Sequence, residues 1–277
     1  SCINCQRTIP HLDAWYEKYK NQGLVIIGVH TPEFGFEQDY ENVAAAVKKF
    51  DIKYPVVLDN DYSTWTSYKN RYWPRKYLVD IDGFIVYDHI GEGGYEETER
   101  KIRETLEERK QILDLRQEIP EGLSETETIA TDAGSPEVYF GANRNELFGN
   151  GPAGKVVTAT FLLPEKKELN TLYLDGIWSV TSEFAENSSA ESKIVFRYQA
   201  KNVYFVAGSE MPVSLRVFLD GKPIRSADAG SDAAENSSIT VSDHRLYHVV
   251  GTQIPGEHTL ELRVQEPGLK AFTFTFG

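Results

Sequence analysis

SCINCQRT, residues 1–8, opens the chain and contains both of its cysteines, Cys2 and Cys5. Apolar residues then recur at three- and four-residue spacing, at Ile9, Leu12, Tyr16 and Tyr19. This period predicts an amphipathic helix that runs to about Lys20. The Cys-x-x-Cys pair therefore lies at the start of a helix, where unpaired backbone N–H groups and the helix dipole stabilise a thiolate.

The residues alone leave three interpretations of the cysteine pair open. Two sulfurs at this spacing can close a small disulfide, and a thiolate is the form that attacks disulfides during exchange. The pair could instead be half of a zinc site, although none of the six histidines forms an H-x3–5-H pair near the cysteines. It could also be two inert thiols. We favour the redox interpretation, and two cysteines exclude a scaffold held together by several disulfides.

The composition narrows the classes of partner. Lys plus Arg is 29 and Asp plus Glu is 42, so the formal charge is −13, whereas a nucleic-acid-binding surface is basic. The longest apolar run, residues 24–29, is too short to span a bilayer. We therefore predict no nucleic acid partner and no membrane span. The 277 residues suffice for two domains, and without an initiator Met or signal peptide we interpret the chain as part of something longer.

Residues 1–116 alternate between helix and strand patterns, which predicts an α/β domain with mixed strand directions. After the first helix, the predicted elements are a strand at 24–29, a helix at 39–50, a strand at 54–58, helical turns at 62–69, strands at 76–81 and 84–90, and a helix at 96–115. Asp82-Gly83 separates the last two strands and is a strong signal for a hairpin.

The remainder of the chain has a different rhythm. Residues 117–135 are rich in Glu, Thr, Ser, Gly and Pro, which indicates a linker. Residues 136–277 then contain only short strand patterns, among them 156–161, 193–198, 203–206, 213–219, 246–250, 259–264 and 271–276. Short alternating strands separated by Gly and Pro predict an antiparallel β-sandwich or jelly roll.

The first domain resembles thioredoxin, in which a proline five residues after the Cys-x-x-Cys pair kinks the active-site helix. Pro10 stands at that position. The resemblance implies a cis-proline facing the cysteines at the start of the strand that enters the hairpin, which selects Pro74. It also implies that Trp73 presents its backbone to a substrate chain, and that Ile3 and Asn4 belong to the same substrate groove.

Two further stretches sharpen the resemblance. TPEF, residues 31–34, is similar to the TlpA and ResA branch of the superfamily, where an acidic residue in this loop lies near the cysteines. Glu33 is then implied to relay a proton to and from Cys5. RLYHVV (245–250) and QEPGLKAFTFTFG (265–277) resemble the DipZ-type family. That family joins a membrane electron-transfer domain to an extracytoplasmic thioredoxin-like domain and a carbohydrate-binding-module-like β domain.

The resemblance implies an extracytoplasmic or periplasmic thiol–disulfide oxidoreductase, whose catalytic residues are Cys2, Cys5, Glu33 and Pro74. It implies disulfide-containing protein substrates, an electron donor that is a membrane domain of the CcdA/DsbD type, and no metal or cofactor beyond the Cys2–Cys5 disulfide. It also implies a strand before the cysteine pair, the central strand of a thioredoxin sheet, which this chain lacks. We expect omitted upstream residues or a neighbour's segment in its place.

A second interpretation assigns the function to the β domain. The chain would then be a binding or adhesion protein with a vestigial redox domain. A carbohydrate ligand requires exposed aromatic rings, and Trp178 and Tyr139 are the candidates for that platform.

A proton relay through Glu33 makes a testable prediction. Glu33→Gln should slow disulfide exchange with substrate, because the amide cannot carry the proton that Cys5 gains and loses. The measurement is the exchange rate from pH 5 to 8. Rates equal to those of the wild type across that range would contradict the relay.

Overall fold

The computed structural model describes residues 1–128, 133–234 and 236–277. The chain divides into two compact units, Cys2–Ile129 and Ala130–Gly277. The first unit contains both helices and strands, and the described residues of the second contain strands without α-helices. None of the described helices is long and apolar enough to cross a membrane.

The elements of the first unit follow the predicted order. They are α1 (Ile3–Tyr19), a 3₁₀ turn (Lys20–Gln22), β1 (Gly28–His30), a 3₁₀ turn (Gly35–Gln38), α2 (Tyr40–Lys49), β2 (Val56–Leu58), α3 (Ser63–Ser67), β3 (Arg75–Val79), β4 (Ile85–Ile90) and α4 (Tyr95–Ile112). Gly23 ends the 3₁₀ turn that follows α1, and its φ of 104° lies in the left-handed region that favours glycine. Asp39 caps α2, its carboxylate accepting from the backbone of Glu41 and Asn42.

The strands of the first unit form two separate pairs. β1 and β2 run parallel, and β3 and β4 form the antiparallel hairpin that Asp82-Gly83 predicted. Within the described residues no strand lies between the pairs, so β1 and β3 each keep one unpaired edge. Val25 and Ile27 precede β1 and are 74% and 58% exposed, although the sequence predicted a strand over residues 24–29. A strand buries such residues only when other elements cover its faces.

The core of the first unit lies between α1 and α4. It contains Trp15, Tyr19, Ile102, Leu106 and Ile119, with Leu12, Leu24, Ile26, Leu78 and Tyr95 packed against them. The α1 members recur at the helical spacing of four residues, so that one stripe of the cysteine-bearing helix is buried.

A buried carboxylate fastens this packing. Glu99 of α4 is 2% exposed and accepts hydrogen bonds from Trp15 Nε1 (3.2 Å), Lys18 Nζ (3.0 Å) and Tyr19 Oη (2.8 Å) of α1. Ser124 donates to it through its backbone N–H (2.8 Å) and its hydroxyl (2.9 Å). Burial alone would raise the pKa of Glu99, but the hydrogen bonds from Ser124, Lys18 and Tyr19 outweigh it and lower that pKa.

Residues 117–124, which belong to the predicted linker, pack against the first unit; we call this segment the strap. Gln117 Nε2 donates to the carbonyl of Gln22 (2.9 Å), and the Ile119 side chain is 7% exposed in the core. The carbonyl of Gly122 accepts from Lys18 Nζ (2.9 Å). Residues 129–132 of the predicted linker lie outside the described residues.

The described part of the second unit is built from antiparallel strands. They are β5 (Val138–Tyr139), β6 (Val157–Phe161), β7 (Leu172–Val180), β8 (Ala185–Asn187), β9 (Ser192–Gly208), β10 (Val213–Leu219), β11 (Lys222–Pro223), β12 (Ser238–Val241), β13 (Arg245–Val264) and β14 (Lys270–Phe276). β9 pairs with β13, β14 and β7. β8 pairs with both β14 and β7, so that β9, β14, β8 and β7 close a ring. The enclosed core includes Trp178, Phe196, Phe205 and Phe274.

Two of the long strands each join two predicted ones. The patterns at 193–198 and 203–206 both lie in β9, and those at 246–250 and 259–264 both lie in β13. The register of the β9–β13 pair shifts between Gly251 and Gly256, an irregularity that interrupts the alternation of side chains. The alternation of inward and outward side chains is therefore interrupted in the sequence, which is why one continuous strand was predicted as two.

The Glu99 contacts predict a pH-dependent contribution to stability. Glu99→Gln should lower the free energy of unfolding of the first unit by about 2 kcal/mol, because it removes charge-assisted hydrogen bonds from a buried site. The folded-state pKa of Glu99 is depressed below its usual 4.5. The stabilisation is therefore present above that pH and is lost as the pH falls through the folded-state pKa.

Urea unfolding followed by circular dichroism at 222 nm measures this effect, since the described helices all belong to the first unit. Glu97→Gln, the same change at an exposed position of α4, is the matched control and should leave stability nearly unchanged. Equal losses in the two variants, or a Glu99→Gln deficit that persists unchanged below pH 4, would show that the carboxylate does not fasten the helices.

Candidate redox site

The two cysteines lie at the N-terminus of α1 and are joined by a disulfide, with their Cα atoms 5.3 Å apart. Cys2 is the N-cap residue, with extended backbone angles, and its Sγ accepts from the backbone N–H of Cys5 (3.1 Å). Both residues are partly exposed. The sulfur of Cys2 therefore takes the place that a hydroxyl or carboxylate oxygen takes in most helix caps, within reach of unpaired N–H groups.

The helix behind the cysteines contains Pro10, as the sequence predicted. A proline has no N–H, so the carbonyl of Gln6 lacks its usual helical donor. The helix continues on both sides of this gap, and Thr8 Oγ1 donates to the carbonyl of Asn4 (2.8 Å) in the turn before it.

The two residues between the cysteines differ in exposure. Ile3 is 8% exposed and faces inward, so a contact between Ile3 and a substrate would have to involve its backbone. Asn4 is partly exposed, and its Oδ1 accepts from Arg7 Nη1 (3.4 Å). Arg7 also pairs with Glu92 (3.4 Å). Of the two predicted groove residues between the cysteines, Asn4 is the one with exposed side-chain surface.

The Trp73–Pro74 peptide bond is cis, as the resemblance implied. Trp73 is held on two sides. Its indole N–H donates to the carbonyl of Thr31 (3.0 Å), and its ring lies 4.3 Å from the ring of Trp65. The residue before the cis-proline is thus fixed by contacts with the loop after β1 and with α3.

Glu33 lies in the loop after β1 and is partly buried. Its backbone N–H and that of Phe34 donate to one oxygen of Glu37 (2.7 Å and 3.2 Å). The Glu37 side chain is 7% exposed, so the loop that carries Glu33 is fastened by a second, buried carboxylate. A role for Glu33 in proton transfer stays a prediction.

Sequence reasoning missed Glu37 and a third buried carboxylate, Asp59. Asp59 is 3% exposed and accepts hydrogen bonds from the Thr31 hydroxyl and from the first turn of α3. Both residues follow strand patterns in the sequence, where an acidic residue is most often solvated. The one sequence signal for Asp59 is its place shortly before a helical turn. That signal predicts a helix cap but not the contact with Thr31.

A group of ionisable side chains lies where α1, β3 and α4 meet. His11 is 4% exposed and stacks on Tyr95, with ring centroids 3.5 Å apart. Lys76 Nζ donates to the carbonyls of Gly91 (3.1 Å) and Gly93 (3.4 Å). Burial lowers the pKa of Lys76 to about 8, against the opposing charge of Glu92. Burial and then the charge of Lys76 lower the pKa of His11, against the opposing charge of Glu99.

The structure corrects the predicted sugar platform at Trp178. Its side chain is 0% exposed, and its indole N–H donates to the carbonyl of Asp175 (2.9 Å), so the ring belongs to the core and cannot stack on a ligand at the surface. Tyr139 is partly exposed, and the Arg144 guanidinium lies 3.6 Å from its ring centroid. Elsewhere, the described residues bring no three His, Cys, Asp or Glu side chains into an arrangement that could hold a metal ion.

Residues 135–277 match the family model described as "Thioredoxin like C-terminal domain", which covers more than half of the chain. The chain belongs to this family. Residues 1–88 also match the AhpC/TSA family, so the cysteine-bearing unit and the β-rich unit have separate matches.

The chain is similar over its whole length to the protein DipZ of Mycobacterium bovis, with 38% identity over 279 residues. It spans 37% of the length of that relative. It is also 32% identical over 98 residues to the thiol-disulfide oxidoreductase ResA of Bacillus cereus, a match that covers 35% of this chain and 54% of ResA. These similarities confirm the DipZ/TlpA-like, thioredoxin-fold assignment.

Among solved structures, a thioredoxin-like protein in the oxidised form is 26% identical to this chain. The match has a TM-score of 0.36 and covers 39% of this chain and 72% of that one.

The charge of Lys76 beside His11 makes a testable prediction. Lys76→Met should raise the pKa of His11, because the lysine charge disfavours the imidazolium. The measurement is the NMR titration of the His11 ring. Lys101→Met removes a lysine whose ammonium pairs with Glu104 (2.7 Å) and should leave that titration in place. The same His11 titration in wild type and Lys76→Met would exclude the coupling.

Proposed function

We propose that the chain is a thiol–disulfide oxidoreductase that reduces disulfides of extracytoplasmic proteins. The observation that carries the proposal is the Cys2–Cys5 disulfide, which lies partly exposed at the N-terminus of α1. The chain has no other cysteine, so both sulfurs that it contributes to the reaction belong to this pair.

The exchange proceeds in two steps that balance in electrons. In the reduced chain, the Cys2 thiolate attacks one sulfur of a substrate disulfide, and the other substrate sulfur leaves as a thiolate. The Cys5 thiolate then attacks Cys2 Sγ, the mixed disulfide breaks, and the second substrate thiolate is released. The substrate gains two electrons, and the chain ends with the Cys2–Cys5 bond that the structure contains.

The helix position supports Cys2 as the attacking cysteine. As N-cap residue it lies beside the positive end of the helix dipole, and its sulfur already accepts the N–H of Cys5. Both interactions favour a thiolate over a thiol. Cys5, one turn into the helix, is the resolving residue.

Pro74 and Trp73 supply the substrate groove. An extended segment beside the substrate disulfide would pair with the backbone of Trp73, as in other cases of strand addition. The contacts that fix the Trp73 ring support this role, since a rigid edge loses less entropy on binding. Asn4 lies between the cysteines and completes the groove on the side of the helix.

Glu33 is proposed to exchange the proton of Cys5. Its loop is held by Glu37, which supports a fixed position for the carboxylate. A carboxylate can take the proton when Cys5 becomes the attacking thiolate and return it in the reductive half-reaction.

The similarity to DipZ supports an extracytoplasmic or periplasmic location. The proposed electron donor is a membrane domain of the CcdA/DsbD type, as the resemblance implies. This chain spans 37% of the length of DipZ, so location, donor and substrates are all part of the proposal.

We also propose a division of labour between a redox domain (residues 1–116), a connection (117–135) whose first part is the strap that packs on the redox domain, and a β domain (136–277) of the sandwich or jelly-roll type. The antiparallel pairing of the second unit supports that β fold. Because Trp178 is buried, Tyr139 with its stacked Arg144 is the part of the predicted platform that keeps surface for a carbohydrate. A sugar ligand at that place stays a prediction.

Insulin reduction with dithiothreitol as electron source tests the proposed reaction. Cys2→Ser should lower turnover by more than about a hundredfold, because a hydroxyl does not replace the thiolate nucleophile. Cys5→Ser is the matched variant. It keeps the nucleophile and should accumulate a mixed disulfide between Cys2 and the substrate, visible by mass spectrometry. A wild-type chain without turnover, or turnover that survives Cys2→Ser, would refute the proposal.

A further inference from the structure

Asp59 is a buried carboxylate whose partners are neutral groups throughout the described residues. One oxygen, Oδ2, accepts from Thr31 Oγ1 (2.9 Å) and from the backbone N–H of Trp65 (2.9 Å). The other accepts from the backbone N–H of Thr64 (2.8 Å) and from Ser63 Oγ (3.3 Å). Burial alone would raise the pKa of Asp59, but the hydrogen bonds from Thr64, Trp65 and Thr31 outweigh it and lower that pKa.

The position of Asp59 explains why it reaches two loops. It directly follows β2, and its backbone N–H donates to the carbonyl of His30 (2.9 Å), which extends the parallel pairing by one bond. Thr31 directly follows β1, and its side chain is buried at 5% exposure. Because parallel strands end at the same edge of a sheet, the carboxylate lies beside the loop that begins at Thr31.

Both groups that hold Trp73 are in turn bound to Asp59. Thr31 accepts the Trp73 indole N–H at its carbonyl and donates its hydroxyl to Asp59 Oδ2. The Trp65 ring packs against the Trp73 ring at an angle of 33° between the planes, and the backbone N–H of Trp65 donates to the same Oδ2. A single oxygen atom thus fixes the hydrogen-bond partner and the ring-packing partner of the residue that precedes the cis-proline.

We propose that Asp59 is a positioning residue, which sets the conformation of Trp73 and thereby the affinity of the redox site for polypeptide substrates. The inference rests on the proposed function, in which the backbone of Trp73 pairs with a substrate chain. A small disulfide has no chain to pair and does not need this edge. Asp59 therefore governs the selectivity for protein disulfides over small ones, while the cysteine chemistry itself is independent of it.

Asp59→Asn tests the proposal with little change in volume. The amide keeps one acceptor oxygen, so its N–H groups face the backbone N–H of either Trp65 or Thr64, and at least one of these two hydrogen bonds is lost. We expect KM for insulin to rise about tenfold, the size expected for one lost charge-assisted hydrogen bond. Turnover of hydroxyethyl disulfide should stay within about twofold of the wild type.

Asp39→Asn is the matched control. Asp39 is also an aspartate that caps a helix, through Oδ1 and the backbone N–H groups of Glu41 (2.8 Å) and Asn42 (3.2 Å). It is exposed and has no bond to the loops that hold Trp73. A loss of helix capping alone would affect both variants, whereas loss of the Trp73 position affects Asp59→Asn only.

Two further variants separate positioning from stability. Thr31→Val removes the hydroxyl that Asp59 binds and should reproduce the rise in KM, whereas Thr31→Ser keeps that hydroxyl and should behave like the wild type. An unchanged KM in both Asp59→Asn and Thr31→Val would overturn the proposal. So would an equal loss of activity on insulin and on hydroxyethyl disulfide, which would place the effect in the cysteines or the fold.

An NMR readout keeps this test independent of the proposed function. Asp59→Asn and Thr31→Val should shift the Trp73 indole N–H resonance and speed its exchange with solvent, while Asp39→Asn should do neither. A wild-type chain without disulfide reductase activity would refute the proposed function. An unchanged Trp73 resonance in both variants would refute the positioning role, whatever the activity.

Discussion

The buried carboxylate of Glu99 is the constraint on which the first unit depends. It accepts donors from Trp15, Lys18 and Tyr19, which lie along one stripe of α1, and from Ser124 of the strap. Burying an ionised carboxylate costs free energy unless its oxygens accept hydrogen bonds. The donors therefore stabilise the buried charge together. The helix that carries the cysteines is therefore located by its far half. Its N-terminal turn is left free of that network and can use its unpaired N–H groups for the sulfur of Cys2.

Three buried carboxylates each fix a different part of the first unit. Glu99 fixes the helices, Glu37 fixes the loop that carries Glu33, and Asp59 fixes the loops around Trp73. Each is buried, and each is satisfied largely by backbone or hydroxyl donors of neighbouring segments. Short loops beside a reactive site can hardly be ordered by apolar packing, because they have too little area to bury. A charged acceptor with several short hydrogen bonds supplies that order with a single side chain.

Local signals were enough for much of this architecture. The 3.6-residue period gave α1, the Asp82-Gly83 pair gave the hairpin, and the likeness to thioredoxin selected Pro74, whose bond is cis. The failures have tertiary causes. Residues 24–27 have the composition of a strand, but among the described residues they pair with no neighbouring strand. Trp178 is a residue type that often binds sugars, but its side chain faces the core. Asp59 was missed because one of its partners, Thr31, is 28 residues away in the sequence. The partners of Glu37 are local, at Glu33 and Phe34, but no periodicity marks a loop glutamate that accepts from the backbone before it.

The strap has a consequence for the way the first unit is tethered. Lys18, which binds the carbonyl of Gly122, lies sixteen residues from Cys2, or about 24 Å along an α-helix at 1.5 Å per residue. The strap thus holds α1 near the helix end that is most remote from the sulfurs. Pulling on the connection would load the Glu99 network before any strain reached the reactive turn.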